Sequence, residues 1–291
     1  MIRLVPLFPA LFVLIWSTGF IGARYAMPHA EPFTFLAMRF ALALCLLLPW
    51  VLLTRAPWPR GRPALHACIA GSLIHGLYLG GVFYAVRHGL PAGIAALIVG
   101  LQPIVTALMA ASFLGERITP RHWMGLLLGL LGVGLVVVPN LSPDGVYRWQ
   151  TLVPVILAAI AISAGTVWQK RFVGGVDLRT GTALQYVGAL LPVTLMAMAT
   201  ETMAVDWTGE LVFALVWLTV VLSIGAILLL LFMIREGAVS KVASLMYLTP
   251  GVTAVMAFLL FGESLTLVQL LGLVIAGAGV HAAMRPGRKP V

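Results

Sequence analysis

The sequence predicts an all-α integral membrane protein whose ten transmembrane helices form two inverted repeats of five helices. Three observations lead to this prediction. The chain has 291 residues, of which 61% are hydrophobic and 9% charged. Its mean hydropathy is +1.06, and a 14-residue segment occurs twice. Because a soluble domain carries about a quarter charged residues, this chain has too little polar surface to face water.

Unbroken apolar runs recur along the whole chain. A transmembrane helix needs roughly 20 apolar residues, whereas the strands of a membrane barrel would alternate apolar and polar residues in short segments. The connections between the runs are short and leave no room for a soluble domain. The predicted spans cover about residues 5–25, 32–54, 64–86, 91–114, 121–138, 150–171, 178–199, 210–233, 239–261 and 265–284.

The basic residues indicate the orientation of the chain. With the N-terminus in the cytoplasm, all but four of the 18 Lys and Arg residues fall on the cytoplasmic side. The exceptions are Arg24, Arg87 and Arg148 outside, and Arg39 within the second span. The positive-inside rule therefore predicts that both termini are cytoplasmic. We interpret the net charge of +9 as a consequence of topology, with the bilayer as partner, and not as a nucleic-acid interface.

The duplicated segment relates the two halves of the chain. Residues 103–116 align without gaps on residues 250–263 at an offset of 147, and Pro, Val, Thr, Ala, Met, Ala, Gly and Glu match. The copies lie in predicted spans four and nine, an odd number of spans apart, so they should cross the bilayer in opposite directions. Such inverted repeats are typical of secondary transporters. The predicted units are residues 1–139 and 150–291, joined by a linker at 140–149.

The pattern Pro-x-Val-Thr-Ala…Gly-Glu-x-x-Thr, present twice, resembles the EamA-type family of the drug/metabolite transporter superfamily. Within it the chain is most similar to the YddG-type exporters of aromatic amino acids. The resemblance covers nearly the whole chain. It implies ten helices in two inverted halves around a central substrate path, in the inner membrane of a bacterium. It also implies export of amino acids by alternating access.

Ionisable residues within a membrane span are candidates for function because a charge in lipid is costly. No predicted span centre carries Asp or Glu, which disfavours proton-coupled export of cationic drugs. His75 is titratable and lies mid-span, where it could relay protons or form a neutral hydrogen bond across helices. Tyr78 follows three residues later on the same helical face. We predict that both line the substrate path.

Two tryptophans lie in spans one and six, which the duplication relates. Trp16 and Trp168 could stack on a flat or apolar substrate side chain, or they could anchor the protein at the membrane interface. Ser17, next to Trp16, is predicted to face the cavity with it.

Pro103 and Pro250 fall in the middle of spans four and nine. Proline lacks an N–H and disrupts the helix around it, so we expect these residues to kink their helices and to take part in gating. Alternatively, the carbonyl oxygens that they free could bind the substrate. Gln102, beside the first proline, is a further candidate for the cavity.

Span nine also carries a polar stripe. Ser240, Ser244 and Tyr247 lie at positions i, i+4 and i+7 of the predicted helix, hence on one face. Lipid would penalise this stripe, so we predict that Ser244 and Tyr247 line the cavity.

Several residues invite structural interpretations. Arg39 could attract a carboxylate, but we expect it to snorkel outward or to pair with Glu31 or Glu263. Gly115 and Gly262 should end their helices. The glycines at 125, 129 and 132 predict close helix packing or a dimer contact, so the protein should be a monomer or a weak homodimer.

The predicted activity is export of a small-molecule substrate without catalysis. No GxxxxGK[ST] motif indicates ATP hydrolysis, and we expect no cofactor, metal or catalytic residue. Facilitated or proton-coupled movement of another neutral metabolite or drug remains an alternative. An intramembrane enzyme would need a nucleophile with its base, or clustered metal ligands. The sequence contains no HExxH, no GxSxG and no intramembrane Asp pair.

Overall fold

The computed structural model describes residues 8–115, 118–138, 148–226, 229 and 248–284. Most of the predicted linker lies outside these residues, as do the predicted cavity residues Ser244 and Tyr247. Within the described residues the secondary structure is helical, apart from one isolated antiparallel β-bridge between Ala30 and Val205. The class of protein predicted from the sequence, all-α, therefore agrees with the structure.

The described helices lie within a few residues of the predicted spans, except that the end of span eight and the start of span nine fall outside the described residues. Six of the helices, between Pro32 and Thr200, are long and apolar enough to cross a membrane, and the described parts of the others are shorter apolar helices. The number of spans, ten, and their arrangement as inverted repeats remain predictions. The helices are α1 (Phe8–Ala26), α2 (Pro32–Leu53), α3 (Arg62–Arg87), α4 (Ala92–Leu114), α5 (Pro120–Val137), α6 (Trp149–Phe172), α7 (Leu178–Thr200), α8 (Gly209–Gly225), α9 (Thr249–Phe261) and α10 (Leu267–Met284).

The outward faces of the helices are apolar. Leu52 on α2 and Leu259 on α9 are 66% and 72% exposed. Cys45 also lies on the exposed face of α2. Large apolar side chains on so many outward faces would be unfavourable in water, and they suit a protein surrounded by lipid.

Three helices depart from regular α-geometry. Residues Ser72–Leu77 of α3 and Trp217–Gly225 of α8 are π-helical. Helix α4 is interrupted after Val99 and resumes at Gln102, which places Pro103 in the first turn of its second part. Proline is tolerated there because the missing N–H would have no partner inside the helix. Pro250 lies likewise in the first turn of α9.

Glycines end α4 and α9 as predicted. Gly115 and Gly262 both adopt the left-handed conformation, with φ of 70° and 67°. The helix that follows each begins with a capping box: the backbone N–H of the threonine, Thr119 or Thr266, donates to the side chain of His122 or Gln269, whose own backbone N–H donates to the threonine hydroxyl. Each of these pairs is related by the same offset of 147 residues, as are the bounds Gln102–Leu114 with α9 and those of α5 with α10.

Glycines also allow α3 and α7 to meet at their backbones. A Cβ atom added to Gly71 would lie 2.0 Å from the Gln185 carbonyl oxygen, and one added to Gly188 would lie 2.1 Å from that of Cys68. The Ser72 hydroxyl donates to the Gly188 carbonyl oxygen at 2.6 Å, next to this contact. The close approach brings the π-helical turn of α3 against the middle of α7.

Candidate functional site

Two neighbouring chambers lie inside the helix bundle. The first, of about 200 Å³, is lined at its mouth by residues of the α6–α7 connection, including Val176 and Asp177. The second, of about 80 Å³, is lined by Arg39, Tyr78 and Ser223. The chambers share four lining residues on helices α1, α3, α7 and α8: Trp16, His75, Tyr186 and Leu222. Both halves of the chain therefore contribute to these walls.

Aromatic rings form much of the shared wall. The His75 ring lies 4.9 Å from the Tyr186 ring and 6.1 Å from the Phe40 ring, measured between centroids. Phe40 and Tyr186 stack at 5.8 Å, and Trp16 stacks on Phe12 at the same separation. Such a wall offers flat apolar surface to a solute.

The π-helical turns direct the polar groups of the site. His75 lies in the π-helical turn of α3, and its Nε2 atom is 3.3 Å from Gln185 Oε1 on α7. This contact matches the predicted hydrogen bond across helices. In the π-helical turn of α8, the Ser223 hydroxyl donates to the Leu218 carbonyl oxygen, five residues earlier. Tyr186 donates to the Ser223 carbonyl oxygen at 3.1 Å. π-Helical turns are frequent at functional sites.

Arg39 also belongs to this site. Its side chain is buried, and its Nε and Nη2 atoms donate to Ser223 Oγ at 3.4 and 3.2 Å. The expectation that Arg39 snorkels outward or pairs with Glu31 or Glu263 was wrong. Glu31 accepts from Thr202 instead, and Glu263 pairs with Arg24 at 3.5 Å. The face of α2 that carries Arg39 is turned towards α8, and its guanidinium is buried there against Ser223.

Some predicted cavity residues lie behind the chambers. Ser17 is fully buried, donates to the Val13 carbonyl oxygen, and does not line either chamber in the described part of the chain. The Gln102 carbonyl oxygen accepts from Ser163, and Gln102 is likewise absent from the described walls. Ser17 therefore bonds within α1 and Gln102 joins α4 to α6, and neither residue lines a chamber.

Trp168 lies in a different aromatic cluster. Its ring packs against His66 at 5.5 Å and against Phe172 at 4.6 Å. Its indole N–H is buried without a hydrogen-bond acceptor among the described residues. The structure thus brings Trp16, His75 and Tyr78 together in the chamber walls and leaves Trp168 outside them.

The two proline segments meet away from the chambers. A Cβ atom on Gly100, in the interruption of α4, would lie 2.6 Å from Pro250 Cγ. Pro250 lines a separate recess of about 440 Å³, together with residues of α4 and α10. This geometry is compatible with a hinge, and the role of Pro103 and Pro250 in gating remains a prediction.

Sequence reasoning missed Tyr186, Gln185 and Ser223. A signal was available for one of them. A weaker similarity between the two halves, at an offset of 146 residues and not the 147 of the duplicated segment, pairs Arg39 with Gln185, and both residues line the chambers. Tyr186 follows Gln185 directly. Ser223 had no such signal, because only the π-helical turn directs it inward.

Polar contacts join the two halves at the end opposite the α6–α7 connection. Glu201, which follows α7, accepts from the backbone N–H groups of Phe33 and Thr34 and so caps α2. His29 contacts Asp206 at 3.4 Å and Glu210 at 3.0 Å. These acceptors raise the pKa of the His29 imidazole. The α6–α7 loop therefore lines the first chamber at one end of the bundle, and polar contacts hold the helices together at the opposite end.

A larger recess of about 870 Å³ lies on the side of the bundle, between α3, α6 and α7. Its wall contains Leu77, Leu157 and Met196, which are also exposed on the outer surface. This recess faces the region that lipid would occupy, and it shares no lining residue with the two chambers.

The fold and the chambers define an integral membrane protein with an internal, solute-sized cavity. The sequence model of the EamA-like transporter family matches this chain twice, at residues 4–138 and 150–284. The chain belongs to the EamA-like transporter family, and by this kinship it is a membrane transporter.

Relatives of similar length are named as transporters or as an efflux pump. The chain is 29% identical to the uncharacterized inner membrane transporter YedA of Escherichia coli, over 93% of this chain and 88% of the relative. It is 28% identical to the uncharacterized transporter YvbV of Bacillus subtilis, over 91% and 87%. It is 23% identical to a probable amino-acid metabolite efflux pump of E. coli, over 93% and 91%. One crystal structure aligns with a TM-score of 0.63 at 21% identity, over 96% of each chain, and shows the fold alone.

Proposed function

We propose that this protein exports amino acids, aromatic and other neutral ones, and related small metabolites across the bacterial inner membrane by alternating access. The observation that carries the proposal is the pair of chambers with aromatic walls, built by helices of both halves. Trp16, His75 and Tyr186 surround a volume below the range of about 300–1,000 Å³ typical of sites for drug-sized ligands. A solute of amino-acid size matches this space.

The arrangement of the ends supports an exporter that loads from the cytoplasm. Asp177 and its neighbours at the mouth of the first chamber belong to a connection that the distribution of basic residues assigns to the cytoplasmic side. Both termini would share that side. The contacts around His29 and Glu201 lie at the other end of α7 and would close the outer side in this state. Alternation would break them and close the mouth.

The relatives support the substrate class and the location. One relative is named a probable amino-acid metabolite efflux pump, and another is named an inner membrane transporter. Transport assays in proteoliposomes test the proposal, with a panel of radiolabelled amino acids moved by counterflow with and without a pH gradient. We expect saturable counterflow of aromatic and other neutral amino acids. Flux that does not saturate, or absence of flux for the whole panel, would contradict it.

The inverted repeat can be tested by labelling. Thr119 and Thr266 are both exposed, both begin a helix, and are related by the offset of 147 residues. In a background without Cys45 and Cys68, Thr119→Cys and Thr266→Cys should react with membrane-impermeant reagents from opposite sides of the membrane. Labelling of both from the same side would disprove the inversion.

A further inference from the structure

Arg39 is a buried charge with few partners. It is 5% exposed, and both of its described hydrogen bonds go to one acceptor, Ser223 Oγ. A guanidinium group has five N–H donors, so most of its hydrogen-bonding capacity is not used by the described residues. Burying a charge with only one described hydrogen-bond acceptor is costly. Arg39 lines the second chamber, which a solute could enter.

The acidic residues of the described chain are engaged elsewhere. None of the six has a carboxylate oxygen within 4 Å of the Arg39 guanidinium; the other three acids, at 116, 144 and 236, lie outside the described residues. The six are occupied as follows: Glu31 with Thr202, Glu201 with Phe33 and Thr34, Asp206 and Glu210 with His29, Asp177 with Arg179, and Glu263 with Arg24.

Asp177 is the acidic residue in the described walls of the two chambers. Arg179 holds it with two side-chain hydrogen bonds, of 3.1 and 2.8 Å, and lowers the pKa of the Asp177 carboxyl group. The mouth is therefore electrically balanced, whereas the second chamber carries the positive charge of Arg39. Such a site favours a solute that brings its own negative charge.

We propose that Arg39 binds the carboxylate of the transported solute, and that the substrate class is organic monocarboxylates with a flat or apolar side chain, with or without an ammonium group. The proposal rests on the proposed transport function and narrows it. A carboxylate can form two parallel hydrogen bonds with a guanidinium group. The rings of Trp16, His75 and Tyr186 would contact the side chain of the solute. Gln185 Oε1, which already contacts His75 Nε2, has a second lone pair that could accept from an ammonium group.

The first test uses the wild-type protein purified in detergent. Its melting temperature is measured with four compounds that share one ring: L-phenylalanine, 3-phenylpropionate, L-phenylalaninamide and 2-phenylethylamine. A ligand that binds only the folded protein raises the melting temperature. We expect a rise with the two carboxylates and none with the two amines that lack a carboxylate. Equal shifts from all four, a shift from the amines or from phenylalanine alone, or no shift at all would overturn the proposal.

The second test uses variants in proteoliposomes. Arg39→Gln removes the charge, Arg39→Lys keeps it without the planar donors, and Arg148→Gln is the matched control at an exposed arginine. For Arg39→Gln we expect the half-saturating concentration of a carboxylate substrate to rise about tenfold or more. Arg39→Lys should be intermediate and Arg148→Gln unchanged. An unchanged value in Arg39→Gln would overturn the proposal; if this variant does not insert, the wild-type comparison decides.

The two proposals fail in different ways. Transport of 3-phenylpropionate without transport of any amino acid would contradict amino-acid export and support the assignment of Arg39. Transport of amino acids with equal competition by phenylalanine and its amide would support amino-acid export and overturn the assignment of Arg39.

Discussion

Gly132 and Gly272 touch at their backbones where α5 crosses α10. A Cβ atom on Gly132 would lie 2.4 Å from the Gly272 carbonyl oxygen, and one on Gly272 would lie 2.5 Å from that of Gly132. Gly279 meets Gly125 in the same way, at 2.8 Å. Because the duplication relates Gly125 to Gly272 and Gly132 to Gly279, the crossing has the two-fold character that inverted repeats would produce. The predicted close packing of these glycines is confirmed within one chain.

This crossing predicts a loss of stability on adding one methyl group. Gly132→Ala should destabilise the protein by about 1–3 kcal/mol, because the helices must separate to admit the Cβ atom. The matched control is Gly134→Ala on the same helix, where a Cβ atom would meet nothing within 4 Å. Thermal unfolding in detergent measures both variants. Equal melting temperatures for them would show that the crossing is looser than the structure indicates.

The contacts of His29 predict a pH dependence of stability. Asp206 and Glu210 raise the imidazole pKa in the folded protein, so the stabilisation is fully present below the ordinary pKa of about 6.5 and is lost as the pH rises through the raised value. The melting temperature of the wild type should exceed that of His29→Gln at pH 5.5, and the difference should shrink at alkaline pH. His88→Gln, at a histidine that bonds its own helix, is the control. A difference that grows with pH would contradict the assignment.

The placement of the tryptophans predicts unequal effects of the same substitution. Trp16→Leu removes an aromatic ring from the chamber wall and should reduce substrate affinity about two- to tenfold. His75→Ala, in the same wall, should reduce the transport rate. Trp168→Leu changes the cluster with His66 and Phe172 and should leave affinity unchanged. Counterflow in proteoliposomes, measured as a function of substrate concentration, gives the affinity of each tryptophan variant. A larger effect at Trp168 than at Trp16 would mean that the chambers are not the substrate path.

Local chemistry made several features predictable. Gly115 and Gly262 end helices because a residue with positive φ is needed there and glycine adopts it without strain. Thr119 begins α5 because its hydroxyl and Pro120 suit the first turn. These properties depend on the nearest few residues, and the glycine and the threonine each recur 147 residues later with the same outcome.

Arg39 shows what could not be predicted. In a water-soluble helix the apolar face marks the interior, but in this chain both the lipid-facing and the interior faces are apolar. The periodicity of α2 therefore carries no information on which way Arg39 points, and snorkelling was the natural expectation. The π-helical turn that directs Ser223 towards it depends in the same way on neighbouring helices.

The amino-acid sequence by itself determined the all-α class of the protein and the glycines that end α4 and α9, and it predicts how the two halves are related. These properties follow from hydrophobicity, turn chemistry and repetition along the chain. Only the tertiary structure decided which of the related tryptophans lines a chamber, that Tyr186 and Gln185 meet His75, and that Arg39 is buried beside them. These outcomes depend on the rotation of each helix about its axis. Close packing between helices sets this rotation, because lipid and the protein interior are both apolar and hydrophobicity does not distinguish them.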